Sequence, residues 1–176
     1  MWIIIPVILV VILAIWAIAT INGFKKKEIK IQESLSGIEV ALTKRYDMLT
    51  KLLDTTKGFM AHEESLITKT IQLRRGMSVG ELNQAEAEMS QMAGRIFAVA
   101  ENYPELKSDR AFAELQRGIR DAEEHLQAAR RLYNANVTAY NTAIAMMPAS
   151  LLAGGRKPHD FFEAEEKKRE DVEMKF

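Results

Sequence analysis

From Ile31 onward the apolar positions step by three and four residues: Ile31, Leu35, Ile38, Leu42, Leu49, Leu52, Phe59, Leu66 and Leu73. That spacing keeps returning to one face of a 3.6-residue turn, and it predicts an amphipathic helix packed against partner helices. Tyr46, Leu53, Met60 and Ile67 widen the stripe, while Arg45, Thr56, Glu63 and Thr70 stand in it as polar members. No proline falls between Lys25 and Arg75. One helix over about residues 25–76 is therefore predicted, about 75 Å long at about 1.5 Å per residue, with Gly58 as a place where it can kink. Arg74-Arg75-Gly76 reads as its stop, with cations in the last turn and a glycine suited to a left-handed cap.

Ser78 followed by Glu81 has the spacing of a capping box and opens a second helix, about 79–102. Its stripe is Leu82, Ala85, Met89, Met92, Ile96 and Val99, and it ends before Tyr103-Pro104 because the residue ahead of a proline is biased out of the helical region. Ser108 is the next expected cap, with Asp109 in the first turn of a long third helix, about 109–147. Its stripe runs from Phe112 through Leu115, Ile119, Ala122, Leu126, Ala129, Tyr133, Val137, Tyr140 and Ile144 to Met147, and Pro148 stops it. Leu49, Leu52, Leu115 and Leu126 are the expected core. Ala153 to Pro158 reads as a loop, and the tail, 156–176, as that loop continued by a short charged amphipathic helix between Asp160 and Glu170.

Ahead of these helices the pattern changes. Trp2 to Ala19 is apolar without interruption, and Thr20 and Ile21 extend the run to about 20 residues, the length that crosses about 30 Å of hydrocarbon. Pro6 lies in the first turns, where a missing N–H costs little. A cleaved signal peptide is the alternative, with Ala17-Ile18-Ala19 as a small-x-small site. The charges favour a retained anchor: none precedes Lys25, whereas Lys25, Lys26, Lys27 and Lys30 follow the run. Positive charge stays on the cytoplasmic side, so the N-terminus is expected outside and the body inside, with some attraction of the lysines to anionic lipid. The fold expected is all-α: a transmembrane anchor over 1–24, then an antiparallel bundle of three to four long helices over 25–155.

Composition narrows the chemistry. The 24 Lys+Arg balance 24 Asp+Glu, so the basic surplus that nucleic-acid binding uses is missing. With no cysteine in the chain, disulfides, thiolate metal sites and cysteine nucleophiles are excluded. His62, His125 and His159 are the histidines, and neither His-Glu-x-x-His nor Glu-x-x-His occurs around them. No glycine-rich phosphate loop and no Gly-x-Ser-x-Gly is found. Catalytic, cofactor and metal residues are thus expected to be none. The polar residues worth following are those in or beside the stripes. Arg45 and Tyr46 read as an ion pair and a packed ring at the edge of the core. Tyr133-Asn134 and Tyr140-Asn141, seven residues apart, read as polar groups that fix helix register.

Specific blocks carry a resemblance. Lys44-Arg45-Tyr46-Asp47-Met48-Leu49 and Lys57-Gly58-Phe59-Met60-Ala61-His62-Glu63 resemble the first long helix of the LemA family of bacterial membrane proteins. Ala98-Val99-Ala100-Glu101-Asn102-Tyr103-Pro104-Glu105-Leu106-Lys107 and Phe112-Ala113-Glu114-Leu115-Gln116 resemble its inter-helix signature. Ala129-Arg130-Arg131-Leu132-Tyr133-Asn134 with Tyr140-Asn141 resembles its third helix. The resemblance implies a single-pass protein of the bacterial inner membrane with a cytoplasmic helical domain, and it carries over no catalytic residue or cofactor. Thr50-Lys51-Leu52-Leu53 departs from the family's usual Asn-Leu-Val, and Arg156-Lys157 from its usual Gly-Phe ahead of the tail, which leaves the tail's docking partner open.

Three functions compete: a non-enzymatic, self-assembling scaffold or interaction module; an accessory subunit of a membrane protease or envelope-stress complex; and a small-ligand binder with a pocket around Arg45, Tyr46, Tyr133 and Tyr140. The expected partners are lipid, a further copy of the chain, and a membrane protein. A second helix of only about 30 Å leaves the stretch Ile29 to Leu42 without cover. A homo-oligomer interface at Ile31, Leu35 and Ile38 is expected on that ground.

Overall fold

The computed structural model describes residues 3–57, 73–74 and 76–162, and all regular structure among them is helical. Helix α1 is Ile4–Lys57, α2 Val79–Ala100, α3 Pro104–Ser108 and α4 Arg110–Ala145, followed by a 3-10 turn at Ala149–Leu152. The apolar run and the amphipathic stripe belong to a single helix of 54 residues rather than to two. Gly23 and Gly37 weaken it by only about 1 kcal/mol each against alanine, and no proline follows Pro6 until Pro104. Pro6 occupies its first turn, as its missing N–H requires.

The expected extension of the first helix to residue 76 is corrected at its end, because Leu73 and Arg74 are not helical. Gly76 does adopt the left-handed backbone, φ 78°, and its N–H donates to Glu39 Oε1 at 3.3 Å. Gly58, Phe59, Leu66 and the pair His62-Glu63 lie outside the described residues. Ser78 caps α2 as expected, with Glu81 N–H donating to Ser78 Oγ and Ser78 N–H to Glu81 Oε2. Ser108 is not the cap of the long helix. It ends the short α3, with its hydroxyl donating to the Pro104 carbonyl, and the Asp109 carboxylate instead accepts from Phe112 N–H at 2.8 Å. A carboxylate is the better partner for the positive end of the helix dipole. The short α3 and the 3-10 turn are additions to the expected elements, and Asp160 and Phe161 are not helical.

The chain forms two compact units, each drawing on α1 and α4. The first joins Met1–Ser36 to Arg131–Phe161. In it Asn136 Nδ2 donates to the Lys30 carbonyl and to Ser34 Oγ, each at 3.2 Å, which lays α4 along α1. Phe24, Ile31, Tyr133, Val137, Tyr140 and Ile144 are buried.

The second unit joins Gly37–Arg130 to the segment that opens with Phe162. Its helix directions follow from contact pairs. Arg45 meets Glu123, and Met48 meets the space beside Gly118, so α1 and α4 run antiparallel. Glu86 pairs with Arg130, whereas Ser90, further along α2, shares Arg45 with Glu123, so α2 is also antiparallel to α4. Helices α1 and α2 therefore run the same way, in step with Glu39 meeting Gly76 and Arg45 meeting Ser90. Leu42, Leu49, Leu52, Leu82, Met89, Ile96, Leu106 and Leu126 form the unit's core, while Leu115 is only half-buried.

Candidate functional site

The chemistry of this chain is concentrated in polar groups set into the helix seams, and each unit has its own set. In the second unit Arg45 is buried in α1 and reaches both neighbouring helices. Its Nη2 donates to Ser90 Oγ on α2 at 3.1 Å, and its Nη1 lies 3.2 Å from Glu123 Oε2 on α4. One guanidinium thus ties three helices at one level, a register function that its planar fork of donors suits. Tyr46 beside it is half-buried.

A second ion pair in this unit is buried more deeply. Arg130 Nη1 lies 2.7 Å from Glu86 Oε1, with side chains 7% and 6% exposed, and the guanidinium stacks over the Phe162 ring at 5.1 Å. None of the three was singled out from the sequence. The signal was present: Glu86 is four residues beyond Leu82 and three before Met89, and Arg130 is four beyond Leu126 and three before Tyr133. A charge on each helix in the core stripe implies a partner, because an unpaired buried charge is prohibitive.

In the first unit Tyr133, Tyr140 and Asn141 of α4 hold the tail. Asn141 and His159 exchange two hydrogen bonds, Asn141 Nδ2 to the His159 carbonyl and His159 N–H to Asn141 Oδ1, both 2.9 Å. The Tyr140 ring meets the His159 ring edge-on at 5.0 Å. Tyr133 Oη donates to the Asp160 carbonyl at 3.0 Å, and burial together with the charge of Asp160 pushes its phenol above the usual tyrosine value. Asn134 is half-buried on the same helix. Arg156 donates to the Ala153 carbonyl at 2.9 Å and lies over the Phe24 ring at 5.2 Å. The departure Arg156-Lys157 thus contributes a cation–π contact on α1, and residues 156–160 of the tail dock on the chain itself.

The stripe at Ile31, Leu35 and Ile38, expected to lack cover, is largely covered within the chain. Ile31 is 2% exposed, Ile38 is fully buried and Leu35 is half-buried, all within one chain. The expectation took the second helix as too short for cover and the third as packing from the far end. Cover at Ile31 comes from α4, which runs on to Ala145.

Of the four topology lysines, Lys25, Lys26 and Lys30 are exposed and Lys27 is half-buried. Lys25 pairs with Glu28 at 2.9 Å, and that hydrogen bond holds the Glu28 carboxyl below its usual range. The apolar segment before them is long and apolar enough to cross a membrane, and none of it is buried against the rest of the chain. Among the described residues no three His, Asp or Glu side chains gather as a metal ion would need.

Comparison with known proteins agrees with this architecture. Over 159 residues the chain is 24% identical to Protein LemA of Metamycoplasma hominis, covering 86% of this chain and 73% of that protein. Over 162 residues it is 22% identical to Magnetosome protein MamQ of Magnetospirillum gryphiswaldense, covering 75% of this chain and 60% of that protein. The LemA family model matches residues 34–176, from the middle of α1 through the tail. The chain belongs to the LemA family.

Proposed function

We propose that the chain is a membrane-tethered helical interaction module, without catalytic chemistry of its own, that holds a braced helical body at the cytoplasmic face of a bacterial inner membrane. The observation that carries this reading is the continuity of α1. The same unbroken helix supplies an apolar segment whose side chains from Ile3 to Ile21 face outward and a stripe whose side chains are buried. A helix that is apolar all round suits lipid, and an amphipathic one suits a bundle.

The ionisable groups support a structural role. Arg45, Glu86, Glu123 and Arg130 are engaged with one another across helices. The lysines after the apolar run support the cytoplasmic placement of the body. Self-association, if it accompanies this role, uses a surface other than the covered stripe.

Alkaline extraction of membranes tests the tether. The full chain is expected to stay in the pellet, and a variant carrying Val11→Lys and Ile15→Asp in the apolar run is expected in the supernatant with its helical spectrum retained. Release of the unaltered chain would overturn the reading.

A further inference from the structure

The end of α4 carries an apolar tip that stands exposed among the described residues. Met146, Met147 and Leu151 are 61%, 69% and 71% exposed, in a chain whose other large apolar residues outside the anchor are mostly buried. Met146 and Met147 precede Pro148, and Leu151 lies in the 3-10 turn at Ala149–Leu152.

The level of this tip along α1 can be read within the first unit. Asn136 contacts Lys30 and Ser34, so it sits level with about residue 32 of α1. Ala145 lies nine residues further along the antiparallel α4, about 13 Å, which brings it level with about Gly23. The return strand gives the same level independently. Arg156 lies over Phe24, and its guanidinium holds the carbonyls of Leu152 and Ala153 at 3.4 and 2.9 Å. From there the tail runs back, His159 to Asn141 and Asp160 to Tyr133. Residues 146–152 therefore turn around at the level of α1 where the apolar run ends at Ile21 and the lysines begin.

The geometry points to this tip as a second membrane contact: Met146, Met147 and Leu151 enter the boundary of the bilayer that α1 crosses, on the side of its lysines. The inference rests on the tethered reading above. Lipid is the occupant because the tip is level with an apolar segment that lipid covers, so the two form one apolar zone. Exposed Lys26 and Lys157 add cations where anionic headgroups lie. Shallow burial of apolar side chains beside basic residues is how interfacial segments bind. Two attachment points, the anchor and the tip of α4, would then stop this unit from swinging about a single helix.

The chain has no cysteine, so single spin labels can be placed in the full protein in vesicles of phosphatidylethanolamine and phosphatidylglycerol. Collision with oxygen, enriched in hydrocarbon, is compared with collision with a nickel chelate confined to water. Labels are placed at Met147→Cys and Leu151→Cys, with Ile12→Cys as the anchor reference and exposed Ala135→Cys as the aqueous reference. The expected result is an oxygen-to-nickel ratio at 147 and 151 between those of the two references. Labels at 147 and 151 as water-exposed as at 135, with 12 deep, overturn the tip contact and leave the anchor standing. Labels at 147 and 151 shielded from both reagents overturn it in favour of a protein surface. A water-exposed label at 12 overturns the tether and the tip together.

Discussion

Arg130 and Glu86 face each other at 2.7 Å across α4 and α2, both nearly sealed from solvent, with Phe162 over the guanidinium. Removing one partner breaks the ion pair of a buried charge, a change that typically costs about 3–5 kcal/mol. Glu86→Ala or Arg130→Ala is therefore expected to destabilise by about that much. The double change Glu86→Leu with Arg130→Met is expected to come close to the unaltered chain, because well-packed apolar pairs often match buried ion pairs. Thermal unfolding of the full chain in detergent, followed by circular dichroism, distinguishes the two outcomes.

The clasp that holds the tail on α4 should open locally before the bundle unfolds. Asn141→Ala removes both hydrogen bonds to the His159 backbone, and loss of about 1–3 kcal/mol there speeds amide exchange of residues 156–161 by about 5- to 150-fold. Tyr133→Phe is expected to cost about 0.5–1.5 kcal/mol. The phenol also makes the clasp sensitive to alkali. Because folding raises its pKa above the ordinary 10.0, its contribution is present below that value and fades as pH rises through the raised one. Exchange of the tail measured from neutral to alkaline pH should accelerate in the unaltered chain and show less pH dependence in Tyr133→Phe.

Acid acts at the other end of α2. Bonds from Ser78 N–H and from Arg74 draw the Glu81 carboxyl from 4.5 down to about 2. Its contribution is thus complete above 4.5 and lost as pH falls towards 2. Glu81→Gln should flatten the dependence of stability on pH in that window. Ser78→Ala should cost about 0.5–2 kcal/mol at neutral pH. An acid titration followed by circular dichroism checks both.

Core substitutions should grade with burial. Leu49→Ala, Leu52→Ala and Leu126→Ala remove fully buried side chains and are expected to cost about 2–5 kcal/mol each. Leu115→Ala, at a half-buried position, is expected to fall below that range. Denaturant midpoints of the four variants in one detergent rank them directly.

Much of this fold was legible because helix chemistry is local. The stripe gave Leu42, Leu49 and Leu52 as core, and the Ser78–Glu81 spacing gave the start of α2. Pro104 and Pro148 marked where α2 and α4 stop. The relative direction of helices was not local, since α1 and α2 run parallel through a connection that periodicity does not encode. Nor was the fate of the seam. Tyr133 and Asn141 were read as register-fixing groups, but their partners are main-chain atoms of the tail, which any sequence can offer. The cover over Ile31 and Ile38 was hidden for the same reason, because it required knowing where α4 lies against α1. Glu86 and Arg130 were overlooked as charges among many, although their places in the apolar stripes set them apart.

Orientation of the tether is the most direct test of the whole account. Single cysteines at Ile3 and at exposed Lys51 are exposed to a membrane-impermeant maleimide in intact spheroplasts and again after lysis. The account expects Ile3→Cys to react in intact spheroplasts and Lys51→Cys to react only after lysis. Labelling of Lys51→Cys from outside, or protection of Ile3→Cys until lysis, would contradict it.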